Sequence, residues 1–365
     1  MGTERHSARE ELTPVELALA TRNHGLPLEA LRYDVTPLGL HYLLTHFDIP
    51  FVEAQSWRLA VGGHVRSPVS LRLDELKERP RITLACTLEC AGNSRARLSP
   101  RAISQPWLEE AVGTAEWTGT PLRPLLEEAQ VKDGAVEVLF TGLDRGIHSG
   151  VEHSYERSLP LDEALRDEVV LAYEVNGQPL PPQHGFPLRL VVPGWYGMAH
   201  VKWLDRITVL TEPFQGIQQA LQYRLKQSEE DPGVPLTRML PRSLLIPPGI
   251  PDFPGRQRFL EPGPCLLEGR AWSGWAPVVR VEMSVDGGAS WQEASLGEEV
   301  GEFGWAGWTF RWEDVRPGEY ELCSRATDAA GNVQPVAPEW NYLGYGNNAV
   351  QRVPVTVASR GGKAD

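Results

Sequence analysis

Residues 226–264, KQSEEDPGVPLTRMLPRSLLIPPGIPDFPGRQRFLEPGP, are too dense in proline for regular structure to be expected there. Each proline lacks a backbone N–H and fixes φ, so the stretch reads as an extended connector laid on a domain surface, and it divides the chain in two. Ahead of it, strand-like runs (SWRLAVGGHV, AVEVLFTGLD, VVLAYEVNG, FPLRLVVPG, WLDRITVLT) alternate with helix-like ones (LRLDELKER, PLRPLLEEA, LPLDEALRD), the pattern of an α+β domain. Behind it, CLLEGRAWSG, VVRVEMSVDGGASWQEA, WAGWTFRWEDV and GEYELCSRATDAAGN alternate as strands, broken by DGG, RPG and AAGN turns. The predicted architecture is therefore a mixed α+β domain over residues 1–235, followed over 236–365 by an all-β sandwich of immunoglobulin-like type.

Two cores are within reach of 365 residues with 41% hydrophobic and 23% charged side chains. The formal net charge of −13 argues against a nucleic-acid partner, which needs a basic surface. Four cysteines, at 86, 90, 265 and 323, are too scattered for a disulfide framework, and Cys265 and Cys323 read as free core thiols. The opening MGTERHSAREELTPVELALA has no uninterrupted apolar core, so neither a secretory signal nor a membrane span is expected and the reading is cytoplasmic. No CxxCH motif is present, so no haem is predicted and any electrons leave through an external acceptor. The tail SRGGKAD is expected to be disordered.

Two stretches carry candidate chemistry. In TLECAGNSR, residues 87–95, an apolar β-branched run ends at Cys90 and is broken by the turn-forming Ala-Gly-Asn, which places the thiol at the end of a strand. A soft metal would accept its thiolate, although a free cysteine in such a run is more often a small buried hydrophobe. In HGFPLRLVVPGWYGMAHVKW, residues 184–203, His184, Arg189, His200 and Lys202 gather around a strand that ends in Pro-Gly. Singly, Arg189 and Lys202 read as surface charges; together, the four suit a phosphate or a polar heterocycle.

CAGN after a strand, then AYEVNGQPLP at 172–181, then HGFPLRLVVPGWYGMAHVKWL occur here in the order in which the sulfite oxidase family of molybdenum-cofactor enzymes carries them. The chain resembles that family over most of its length, and RAWSG, VEMSVDGGASW, DAAGNVQP and EWNYLG are similar to its immunoglobulin-like dimerisation domain. The resemblance implies that Cys90 supplies a thiolate to molybdenum, with two further sulfurs from a pterin dithiolene. It implies that His184, Arg189 and Lys202, with the backbone at His200 and Val201, hold the pterin and its phosphate. Asp144, in FTGLD, falls on a pterin-contacting position. The tetrapeptide TRNH at 21–24 spells a sequence that the family uses at the pterin, but VTPLGLHYLLTHFDIP fits the family's frame better, since His46 precedes Cys90 by 44 positions and His24 by 66. The pterin-contacting stretch is thus Tyr42, Leu43, Leu44, Thr45 and His46.

The chain departs from the family where sulfite-oxidising members place arginines. Leu44 and Leu343 occupy two of those positions, and Arg95 remains. A charge-assisted hydrogen bond is worth about 1.5 to 3 kcal/mol, so two lost arginines weaken capture of a dianion unless His41, His46 or Lys202 compensates. Arg95 would orient the anion, Trp107 would wall the pocket, and Tyr223 resembles the family's active-site tyrosine. The implied activity is oxidation of sulfite to sulfate by oxygen-atom transfer, in a homodimer. The alternatives are an S-oxide or nitrate as the oxo-substrate, or a non-enzymatic binding protein.

Overall fold

The computed structural model describes residues 12–148 and 150–358, and the tail expected to be disordered lies outside them. The first half is built on two sheets. One runs in the order Val69–Leu71, Leu59–Gly63, Leu204–Leu210, Glu137–His148, Val151–Pro160, with only the Leu59–Gly63 and Leu204–Leu210 pair parallel. The other is antiparallel in the order Ile82–Glu89, Val112–Pro121, Val170–Val175, Gln178–Pro179, with Arg189–Val191 on the far side of Val170–Val175. Burial of Leu59, Val61, Phe140, Leu171, Leu190 and Ile207 in one cluster joins the two sheets. The three helix-like runs become the short helices Leu73–Lys77, Arg123–Ala129 and Leu161–Ala164.

The connector is more ordered than its prolines foretold. It contains Val234–Pro235, Arg242–Leu245, Ile250–Pro251 and Arg258–Leu260 as strands. Val234–Pro235 pairs back onto Arg224–Leu225, whereas Arg242–Leu245 pairs with Gly269–Trp272 and opens the second unit. The physical reason is positional. RSLL is free of proline and takes the edge of its sheet, and the strands that do contain proline are two-residue pairs, where a missing N–H costs little.

The second unit packs two sheets. Arg242–Leu245, Cys265–Trp272, Ala306–Trp312 and Ser295–Glu299 form one, and Ile250–Pro251, Arg258–Leu260, Val353–Val357, Gly318–Asp328, Val278–Ser284 and Gln292–Glu293 form the other. Leu267, Trp308 and Trp312 of the first face Val281, Leu322, Ala326 and Val355 of the second in a shared core. All four cysteines are free thiols.

The second unit also reaches into the first. Arg242, 1% exposed, ion-pairs with Glu89, 2% exposed, at 3.0 Å, and Trp272 Nε1 donates to the other carboxylate oxygen at 3.0 Å. Arg242 also donates to Ser94 Oγ, and Asn347 Nδ2 donates to the Ser94 carbonyl at 2.9 Å. Residues 89–94 are thereby bolted from behind by the sandwich.

Candidate active site

That bolted segment carries Cys90. The strand Ile82–Glu89 stops one residue short of it, and the turn is closed by Asn93, whose amide donates to Glu89 at 3.0 Å and to the Glu109 carbonyl at 3.2 Å. The Cys90 thiol is buried, and the Gly92 N–H donates to Sγ at 3.4 Å. Burial pushes the thiol pKa up, while that N–H, the Arg95 charge and the Trp107 indole pull the other way. Among the described residues no three His, Cys, Asp or Glu side chains converge, so a metal at Cys90 would need most of its ligands from a cofactor.

Cys90 stands where two cavities meet. The first is lined by His41, Tyr42, Leu43, Asp144, His184, Arg189, His200 and Lys202, among others. Arg189 is held in place by the His184 and His200 carbonyls at 3.2 and 3.4 Å and lies 4.5 Å from the centre of the Trp117 ring. Lys202 Nζ donates to the carbonyls of Leu44 and Gln183 at 2.9 and 3.0 Å. Burial lowers the imidazole pKa values of His41 to about 4, His46 to about 3, His184 to about 2 and His200 to about 3, so all four rings are neutral. Burial likewise lowers Lys202 to about 7 and raises Asp144 to about 7.

Three buried polar atoms of this cavity's residues, His41 Nε2, Asp144 Oδ1 and Arg189 Nε, have no partner among the described residues. Buried groups of this kind are nearly always satisfied, which marks them as waiting for a ligand. The donor set fits a large heterocycle bearing an anionic group: two cations for the anion, neutral imidazoles and a carboxyl for ring edges. The ring of His200 is less available, since its Nδ1 accepts the Val192 N–H at 3.1 Å and its Nε2 donates to the Trp195 carbonyl at 3.1 Å.

The second cavity, about 300 Å³, opens on the other side of Cys90 and takes Leu44, Thr45, His46, Arg95, Trp107, Tyr223, Leu343 and Tyr345 among its walls. Arg95 Nε donates to the Leu343 carbonyl at 3.2 Å, and the guanidinium lies 4.7 Å from the Tyr345 ring centre. Glycine is required beside it: at Gly344, where φ is +66°, a Cβ would stand 2.8 Å from Arg95 Cγ, and at Gly92 one would press on the guanidinium. Tyr223 OH and His46 Nε2 are 2.6 Å apart and connect the two cavities' walls. Tyr223 does not lie on a helix; it follows Ile217–Ala220 with φ +54°.

The oxidoreductase molybdopterin binding domain profile matches residues 46–218, and the Mo-co oxidoreductase dimerisation domain profile matches 256–358. Sulfite oxidase of Gallus gallus is 36% identical over 87% of this chain and 72% of its own length. The chain belongs to the sulfite oxidase family of molybdopterin-dependent oxidoreductases. The mitochondrial sulfite oxidase of Mus musculus is also 36% identical, over 88% of the chain, and the chain spans 62% of that relative's length. An inducible NADH nitrate reductase of Glycine max is 31% identical over 92% of the chain and 41% of its own length. Among solved structures, the sulfane dehydrogenase SoxCD of Paracoccus pantotrophus superposes with a TM-score of 0.79 at 27% identity, covering 98% of this chain and 92% of that one.

Within this sulfite oxidase family member, the structure brings Tyr42, Leu43, Leu44, His46, Asp144, His184, Arg189, His200 and Lys202 to the first cavity beside Cys90. Thr45 faces the second cavity instead, and Val201 packs in the core with its carbonyl taken by the Leu190 N–H. The two rival stretches of the amino-terminal region turn out to be paired. His24 bridges Leu43, Arg22 Nη2 donates to the carbonyls of Thr45, His46 and Phe47, and Asn23 Oδ1 accepts the Thr45 N–H at 2.8 Å. TRNH thus braces the stretch that lines the cavities. Of the three groups expected to replace the lost arginines, only His46 reaches the second cavity; His41 and Lys202 stay on the first. Sequence reasoning missed His148, Gln218, Gln222 and Tyr345 on the second cavity. Tyr345 adjoins EWNYLG, which offered a signal; the glutamines offered none.

Proposed function

We propose that this chain is a molybdenum-cofactor oxidoreductase that moves an oxygen atom to or from a small oxo-substrate, with Cys90 as the protein's ligand to the metal. The observation that carries this reading is the position of the Cys90 thiol, buried between a cavity furnished with two cations and one furnished with a single arginine. Arg189 and Lys202 would take the cofactor's phosphate, and Asp144, Tyr42 and His184 would meet the edges of its rings. When bound, the cofactor supplies a metal that exchanges an oxygen atom with the substrate and holds the two electrons released.

The remaining tasks fall to the protein. Arg95 offers fixed positive charge to an anion on the open side of Cys90, preorganised by Leu343 and Tyr345. Trp107, 4% exposed, closes the wall beside the thiol, and the His46–Tyr223 contact presents a hydroxyl to the same space. Sulfite is the simplest substrate for this arrangement: with water it gives sulfate, two protons and two electrons, the last leaving to an external acceptor. A homodimer through the sandwich accords with the dimerisation-domain match. Leu44 and Leu343 on the substrate side favour a second reading, in which the oxo-substrate is an S-oxide or nitrate.

The test compares Cys90→Ser with the wild type for molybdenum content and for sulfite-dependent reduction of ferricyanide. The variant should keep its cofactor, which the first cavity holds, and lose turnover by at least about a thousandfold, as expected when a group that acts at the reacting centre is removed. Retained turnover at full molybdenum occupancy would sink the thiolate assignment.

A further inference from the structure

The substrate-side cavity is poorly made for a small dianion. Among the described residues its one lining cation is Arg95, and that guanidinium already spends Nε on the Leu343 carbonyl, has Nη1 3.5 Å from the Gln105 carbonyl, and lies against Tyr345. Arg157, the next cation inward, stands behind Tyr223, 5.4 Å from its ring centre, and does not line the space. The rest of its polar lining includes three glutamines, Ser104, Thr45, Tyr223, the neutral His46, and His148, whose pKa is lowered by desolvation and by the neighbouring His153. Among the described residues no carboxylate lines it.

The apolar lining is made by Leu19, Leu44, Ala102, Ile103 and Leu343, with the Leu343 carbonyl on Arg95. At about 300 Å³ the space stands at the lower end of the ~300 to 1,000 Å³ range of pockets that hold whole organic ligands, more than a bare oxyanion fills. A single fixed positive charge balances a single negative charge, and a leucine-lined wall is stabilised by an apolar substituent rather than by a second oxyanion charge.

From these features, and resting on the oxidoreductase reading above, we infer that the cavity takes a singly charged sulfur acid carrying an apolar substituent, an organic sulfinate, in preference to sulfite. The sulfinate head lies on Arg95 and turns its sulfur toward Cys90, while the substituent runs along Leu44, Leu343 and Ile103. The reaction is RSO2− + H2O → RSO3− + 2 H+ + 2 e−: one S–O bond forms, sulfur is oxidised by two electrons, both protons go to solvent, and a one-electron metal-complex acceptor takes the electrons in two steps. Leu44 and Leu343 are the residues that set this preference.

The experiment uses the molybdenum-loaded full chain with ferricyanide as acceptor and compares methanesulfinate, benzenesulfinate and sulfite. Benzenesulfinate should exceed sulfite in kcat/KM by at least about tenfold, the discrimination that one or two apolar contacts supply. The paired substitution Leu44→Arg, Leu343→Arg should reverse the order by a similar factor at unchanged molybdenum content. Calorimetry supplies a readout independent of turnover: the loaded wild type should bind benzenesulfonate more tightly than sulfate, and the paired variant should bind sulfate more tightly. Sulfite turnover with sulfinates at least tenfold poorer, or sulfate bound more tightly by the wild type, overturns the substrate class and leaves the oxidoreductase reading standing. A loaded chain that oxidises none of the three overturns the substrate class, and a chain that takes up no molybdenum overturns both.

Discussion

The two cavities that share Cys90 differ in how they treat charge. On the cofactor side, Arg189 and three neutral imidazoles are buried with Lys202 and His46 half-buried beside them, and Arg189 and Lys202 are tied to backbone carbonyls that hold them where an anion would sit. On the substrate side, one guanidinium faces leucines, glutamines and aromatic rings. The contrast teaches that retention of a cofactor and choice of a substrate are separable in this chain. A permanently held phosphate-bearing group needs buried fixed charge. A transient substrate can be selected by removing charge, because every absent arginine weakens the competitor that required it.

The largest effect that bears on this contrast comes from the wall between the cavities. Arg242→Met should lower stability by about 3–5 kcal/mol, because it leaves the Glu89 carboxylate buried without its ion pair, and thermal unfolding would read the loss. The paired change Arg242→Met, Glu89→Gln should recover much of it. If the single change costs nothing, the sandwich does not bolt the Cys90 segment. Next in size is Arg189→Ala, which should weaken cofactor retention by about ten- to a hundredfold, the value of one charge-assisted hydrogen bond of ~1.5 to 3 kcal/mol. Pterin and molybdenum recovered after extensive dialysis measure it, and full retention would remove Arg189 from the cofactor side.

The smallest effect is a pH dependence. Burial raises the Asp144 pKa from 3.8 to about 7, so the folded chain prefers the neutral carboxyl. The stability tied to that proton is full below pH 3.8 and is lost as pH rises through about 7. Lys202, lowered from 10.5 to about 7, has the opposite sign, and its share is regained as pH climbs from 7 towards 10.5. Thermal midpoints of the cofactor-free protein between pH 4 and 7 should therefore fall less steeply for Asp144→Asn than for the wild type. Parallel slopes would place Asp144 in solvent contact.

Much of this arrangement was legible before any coordinates. Alternating apolar runs marked most of the sheet strands, and a break of Ala-Gly-Asn after a β-branched run put Cys90 at a strand end, one residue past Glu89. His184, Arg189 and Lys202 were visible because they cluster within a single short stretch. Less legible was anything that depends on distant segments meeting. Arg242 reads as a connector residue until it is seen beneath Glu89, 153 positions away. Gln218 and Gln222 carry no local pattern, since their place on the cavity comes from a short helix, Ile217–Ala220, meeting distant segments. The rivalry between TRNH and YLLTH could not be resolved as a pairing, because a bridge between His24 and Leu43 is a tertiary fact.

The central claim is that the Cys90 sulfur is the point at which the two cavities meet on one metal. X-ray absorption at the molybdenum edge tests it most directly, on cofactor-loaded wild type and Cys90→Ser protein prepared alike. The account predicts one sulfur neighbour fewer around molybdenum in the variant, with the metal still bound. An unchanged sulfur count with molybdenum retained would contradict it.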